Sequence, residues 1–153
     1  PYQAMTTLST HDLPTINGYW RGYDFELGQK YGVYPNPKIL QILRHSRIDA
    51  KEKILARLSE NGITVDKGID ETLSSAVTKK FTHQLQTYVA DVSSALFGFQ
   101  PEDWLDMAEP VNIPGTSMEY ANWRRRLTQN IDAIFADKDI QTLLKEVKAK
   151  RKG

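Results

Sequence analysis

The chain has 153 residues, a formal net charge of +1 and no cysteine. That length suits one ordinary domain with a real core, and the near-neutral charge supplies no global field for nucleic acid or an anionic membrane. The lack of cysteine excludes disulfides, thiol chemistry and a zinc–thiolate cluster, and fits a reducing compartment, while no apolar run approaches the roughly 18 residues of a membrane span.

In chain order, Ala4 to Leu8 is a run of small and β-branched residues that predicts a short strand. It ends in the polar stretch Ser9-Thr10-His11-Asp12-Leu13-Pro14-Thr15. Pro14 and Gly18 predict a loop or a single helical turn. Gly22, Gly28, Gly32, Pro35 and Pro37 then punctuate an aromatic-rich stretch (Tyr19, Trp20, Tyr23, Phe25, Tyr31, Tyr34), read as an irregular excursion. Asn36 suits an N-cap and Pro37 a first helical turn, so a helix is expected from Pro37 to Asn61 with Gly62 as its stop. Its apolar residues Ile39, Leu40, Leu43, Ile48, Leu55 and Leu58 recur at helical spacing. Thr64 to Gly68 reads as a loop and Asp70 as the N-cap of a second helix. That helix would carry the stripe Leu73, Val77, Phe81, Leu85, Tyr88 and Val92. Ser94 to Phe99 is short and nearly all apolar, which predicts a buried strand. Strand, helical connection and strand make a βαβ unit with a right-handed crossover. Gln100 to Thr116 is a polar, proline-rich loop. The last helical region holds Leu127, Ile131, Ile134 and Phe135, breaks at Asp137 to Asp139, and continues through Ile140, Leu143, Leu144 and Val147. The basic run from Lys145 to Lys152 fits a solvated helix C-terminus, where cations are favoured.

The His11-Asp12 pair stands at the end of a predicted strand. In parallel (β/α) barrels, strand C-terminal ends carry the chemistry. A carboxylate held next to an imidazole can grip neighbouring hydroxyls or stabilise developing positive charge. Equally, Asp12 could cap a helix beginning at Leu13. Asn112 offers a donor and an acceptor, which matches vicinal hydroxyls, or it could simply open the turn that Pro114 and Gly115 fix. Glu102, Asp103, Asp106 and Glu109 read as solvated loop carboxylates or as caps of a short helix after Pro101. Trp20, Tyr23 and Trp104 are candidates for stacking on a ligand, or packing residues. Arg124, Arg125 and Arg126 lack a basic face, so ion pairs explain them better than nucleic acid. His45 and His83 have no ligand spacing around them, and no metal site is expected.

Three stretches are jointly specific: STHDLPT at 9–15, NIPGT at 112–116 and NWRR at 122–125. On them, and on their order, the chain resembles the C-terminal part of the amylomaltases, the bacterial 4-alpha-glucanotransferases, over essentially its whole length. The resemblance implies an α/β fold, the C-terminal portion of a (β/α)8 TIM-type barrel. Residues 1–153 would be a mainly helical fragment of the catalytic barrel domain, with about two short parallel strands. A whole barrel takes about 250 residues, so the upstream part is expected on a longer protein.

The implied activity is transfer of alpha-1,4-glucan segments between maltodextrins by a retaining double displacement, in the cytoplasm and without a cofactor. Asp12 matches the carboxylate that stabilises the transition state, His11 the adjacent histidine bonded to the same sugar, and Asn112 a substrate contact. The nucleophile and general acid would lie upstream, so the fragment alone is expected to be inactive. Bared strand edges would favour self-association. A non-catalytic carbohydrate-binding or assembly module and an alpha-glucan hydrolase fragment are the competing readings. Nucleic acid and membrane are not expected partners.

Overall fold

A computed structural model of the chain describes residues 3–75 and 77–151. Its elements run β1 (Met5–Thr7), α1 (Ile16–Arg21), α2 (Tyr23–Lys30), α3 (Pro37–Glu60), α4 (Lys79–Ala90), β2 (Leu96–Gly98), α5 (Pro101–Trp104), α6 (Ile131–Ala136) and α7 (Lys138–Lys150). The two strands pair in parallel, with Met5 opposite Leu96 and Thr7 opposite Gly98. This is the expected pair, though shorter at both ends. Parallel pairing places the segments that follow β1 and β2 at the same end of the sheet.

The strands are not buried as their composition suggested. Met5 is 62% and Leu96 63% exposed. Among the described residues the sheet holds only these two strands, so both carry an unpaired edge.

The aromatic stretch after residue 15 is helical, not irregular. Thr15 caps α1 by accepting from the Gly18 backbone N–H at 3.0 Å. Gly22, at φ 67°, ends α1 and starts α2; that left-handed conformation is cheap for glycine and lets the chain turn without losing helical phase on either side. Trp20, Phe25 and Leu27 are buried. The glycines that read as breakers therefore articulate two short helices.

α3 ends one residue short of the expected boundary, and Asn36 caps it by accepting from Lys38 N–H at 2.9 Å. The second long helix starts later than expected. Thr78, not Asp70, is its cap, with the hydroxyl accepting from Phe81 N–H at 3.1 Å. Asp70 instead accepts from both the backbone N–H and the hydroxyl of Thr72 in a local turn. Leu73 precedes the helix, and Val92 follows it and is exposed. Only the middle of the stripe is helical, and its Phe81 and Leu85 are buried.

Two apolar clusters result. Ile16, Trp20, Leu58, Ile69, Phe81 and Leu85 join α1, α3 and α4. Ala90, Trp104, Ile134, Ile140, Leu143 and Val147 join α4 and α5 to α6 and α7. The break between α6 and α7 falls at Asp137, which caps α7 by accepting from Asp139 and Ile140 N–H. The basic end of α7 does more than face solvent: Arg151 donates to the carbonyls of Ala90 at 3.0 Å and of Ser94, just before β2.

Arg47 is the polar joint between α3 and the first two helices. Its guanidinium makes a bidentate pair with Asp24 at 3.0 and 2.8 Å and donates to Tyr19 O at 2.7 Å. It also lies 3.7 Å from the Tyr19 ring centroid and 4.4 Å from that of Phe25. Both charges are largely out of solvent, so removing one strands the other. Arg47→Ala should lower the unfolding free energy by about 3 kcal/mol. Arg47→Lys should recover less than half of that, because an ammonium cannot reproduce the fork. Urea denaturation of the three proteins checks both values.

Candidate active site

The loops that follow the two strands meet at one end of the sheet. Asn112 Nδ2 donates to Asp12 Oδ1 at 2.7 Å, across 100 residues of sequence. His11 Nε2 lies 3.1 Å from the other carboxylate oxygen, Asp12 Oδ2. The side chains of His11 and Asp12 are each 53% exposed. Asp12 does not cap a helix; Thr15 takes that place, which leaves the Asp12 carboxylate turned to Asn112 and to solvent. One carboxylate thus faces an amide on one oxygen and an imidazole on the other, and remains about half exposed to solvent.

The 110–126 segment is folded around Asn122. Its Oδ1 accepts from Ile113 N–H at 2.9 Å, and its Nδ2 donates to Thr116 Oγ1 at 2.8 Å. Thr116 in turn donates to Ile113 O at 2.7 Å. Gly115, at φ 87°, closes this turn in a conformation that favours glycine. Trp123 N–H donates to Val111 O at 2.9 Å. Asn112 is therefore flanked on both sides by bonds to residues 122 and 123, and its position is fixed through its neighbours.

Similarity to known proteins bears on this arrangement. Residues 1–131 match the family model described as 4-alpha-glucanotransferase, glycoside hydrolase family 77. The chain belongs to this family. It is 29% identical over 147 residues to a 4-alpha-glucanotransferase of Haemophilus influenzae, covering 96% of this chain and 21% of that protein. It is 30% identical over 152 residues to a 4-alpha-glucanotransferase of Mycobacterium tuberculosis, covering 95% of this chain and 20% of the relative. The fold matches a crystal structure of amylomaltase from Corynebacterium glutamicum with a TM-score of 0.76 and 24% identity, over 94% of this chain and 21% of that one. The chain spans about a fifth of the length of these relatives.

Within this family-77 segment, several residues differ from their sequence reading. Glu102 and Asp103 are not solvated loop carboxylates; both are buried. Asp103 accepts from Ser9 Oγ at 2.8 Å and from Ile16 N–H at 2.7 Å. Glu102 pairs with Arg125 at 3.2 Å, which gives one arginine of the basic run the ion pair expected of it. Asp106 sits at φ 55° and accepts from Asn17 Nδ2 at 2.6 Å. Gly18 lies so close to the same segment that a Cβ there would meet Ala108 O at 2.6 Å, so only glycine lets α1 approach. These contacts hold the His11-Asp12 loop against the segment that leads to Asn112.

Trp20 and Trp104 are buried core residues, unavailable to a ligand, and Tyr23 is half-buried. An aromatic ring beside the polar set is Trp123, part of the NWRR stretch, to which the sequence alone assigns no role. Its ring centroid is 5.0 Å from that of His11. The available signal was its place in the polar loop next to Asn122. His45 bonds to Gln41 O within its own helix, while burial pushes His83 below the usual histidine range. Among the described residues no group of three or more histidine and acidic side chains is placed to hold a metal ion.

Burial raises the Asp103 carboxyl to about 6; the Ile16 N–H and Ser9 hydroxyl pull it back, and Glu102 pushes it further up. Folding therefore favours its protonated form, and its contribution to stability is fully present below 3.8 and is lost as pH rises through 6. Asp103→Asn keeps an acceptor for Ile16 and a polar partner for Ser9 but cannot ionise. The stability of Asp103→Asn relative to the native chain should rise between pH 4 and pH 7. Urea titrations at four pH values in that interval check this; a constant difference would show that Asp103 is charged throughout.

Proposed function

We propose that the chain is the C-terminal portion of the catalytic barrel of a 4-alpha-glucanotransferase, which moves alpha-1,4-glucan segments between maltodextrins by a retaining double displacement. The observation that carries this reading is the Asn112–Asp12 hydrogen bond at the shared end of two parallel strands. It joins two motifs a hundred residues apart into one hydroxyl-binding group, where a barrel enzyme would have its site.

In such a reaction a carboxylate attacks the anomeric carbon while an acid protonates the departing glycosidic oxygen. A hydroxyl of the acceptor chain then displaces the carboxylate and returns its proton to the base form of the acid. Those two carboxylates belong upstream of this chain. Asp12 supplies a third negative charge that accepts hydrogen bonds from sugar hydroxyls and stabilises the oxocarbenium-like ring more than the ground state. His11 and Asn112 hold that carboxylate from opposite oxygens and contact the same sugar. The segment alone carries no transferase activity; the longer enzyme needs no cofactor and acts in the cytoplasm.

The test uses the longer enzyme that contains this segment, followed by chromatography of maltotriose products. Asp12→Asn should reduce kcat by at least about a hundredfold with a smaller change in KM. Asn112→Ala should cost about 1–3 kcal/mol in kcat/KM. The 153-residue chain by itself should form no longer maltodextrins from maltotriose. An Asp12→Asn enzyme with normal turnover would end the assignment.

The unpaired outer edges of β1 and β2, together with Met5 and Leu96 exposed opposite each other on one face of the pair, support a further part of the reading. A barrel would cover these edges with neighbouring strands; the separate chain covers them by self-association. Sedimentation at several concentrations should show a mass that grows with concentration, and Met5→Lys with Leu96→Lys should shift it toward monomer.

A further inference from the structure

Trp123 combines features that its surroundings do not explain. A bulky side chain at φ 61° is unusual, and the indole is 62% exposed. The backbone is nonetheless pinned, through Trp123 N–H to Val111 O and through the Asn122 side chain to Ile113 and Thr116. The same bonds flank Asn112. The fold thus holds a large aromatic ring in the open, beside the His11 imidazole at 5.0 Å, while His11 meets Asp12 at 3.1 Å and Asp12 meets Asn112 at 2.7 Å.

An apolar plate adjoining a carboxylate and an amide has the chemistry of a pyranose. The sugar has a face of C–H bonds that lies on an aromatic ring, and a rim of hydroxyls that bonds to carboxylate and amide groups. We propose that Trp123 is the stacking platform that orients the sugar ring whose hydroxyls engage Asp12 and Asn112. This rests on the alpha-glucan reading above. Trp123 is then a positioning residue for that ring, and its left-handed backbone is what turns the indole toward His11 instead of into the core. Of the arginines that follow Trp123, Arg125 is turned away from the indole's surroundings to Glu102 and Met107.

The 153-residue chain offers a direct readout, because its other two tryptophans, Trp20 and Trp104, are buried. Acrylamide quenching of tryptophan fluorescence therefore reports on Trp123. Maltohexaose should protect the indole from acrylamide in a saturable way, and an equal concentration of sorbitol should not. Trp123→Ala should weaken maltohexaose binding by about tenfold, the worth of roughly one aromatic contact. Trp123→Phe, which keeps a ring, should stay closer to the native affinity. Affinities of the variants are read from the backbone amide shifts of residues 11–12 and 112. If those amides respond to maltohexaose and Asn112→Ala weakens the response, but Trp123→Ala leaves it unchanged, the platform is overturned and the alpha-glucan reading stands. If neither the amides nor the indole respond to maltohexaose, the platform is overturned, and the alpha-glucan reading is decided by the Asp12→Asn kinetics of the longer enzyme.

Discussion

A buried carboxylate holds the two halves of the molecule in register. Asp103, at the start of the short helix after β2, reaches back across 94 residues to the Ser9 hydroxyl and across 87 to the Ile16 backbone N–H. Those two residues bracket the loop that bears His11 and Asp12. The carboxylate therefore fixes both where that loop leaves the strand and where it re-enters a helix. Burial resists its charge, and the two donors answer that cost only in part. The joint is specific because a hydrophobic substitute would leave the Ile16 N–H without a partner.

The same logic repeats around the site at lower stakes. Asn17 bonds Asp106, Gly18 lets Ala108 O approach, and Thr15 donates to Ala108 O at 3.4 Å while capping α1. On the other side Arg125 neutralises Glu102. One surface of α1 thus lies along residues 103–108. The polar groups above it, exposed Asp12 and half-buried Asn112, bond to each other and are held in place through their neighbours. They are left with hydrogen-bonding capacity to spare, which a structural network would have consumed.

Local signals were legible wherever the physics was local. Asn36 and Pro37 start a helix by capping geometry alone, and the parallel pairing of β1 and β2 follows from two short apolar runs with a helical connection. The aromatic stretch misled because glycine marks both a loop and a hinge between helices, and only the φ of Gly22 separates the two. Asp70 and Thr78 both look like caps, and the choice depends on what the intervening Leu73 packs against. The carboxylates 102 and 103 were illegible for a different reason. Their sequence neighbourhood is that of a solvated loop, and the groups that bury them lie far away in the chain. The predicted strand end singles out His11 and Asp12, whereas their meeting with Asn112 is foreshadowed only by the motif resemblance, and the place of Trp123 beside His11 depends on a backbone conformation no residue pattern specifies.

The connection between β1 and β2 also bears on how the molecule comes together in time. α3, α4 and the α6–α7 pair are built from contacts between residues near in sequence, and such contacts form early. The sheet and the Asp12–Asn112 bond instead close loops of about ninety to a hundred residues, whose entropy cost is met only once the intervening helices have condensed. On entropic grounds the end of the sheet where Asp12 meets Asn112 closes after the helices. A chain that stalls on the way would have most of its helical content but not the Asp12–Asn112 bond, so a signal from secondary structure alone would overstate how much of the population has closed that end of the sheet.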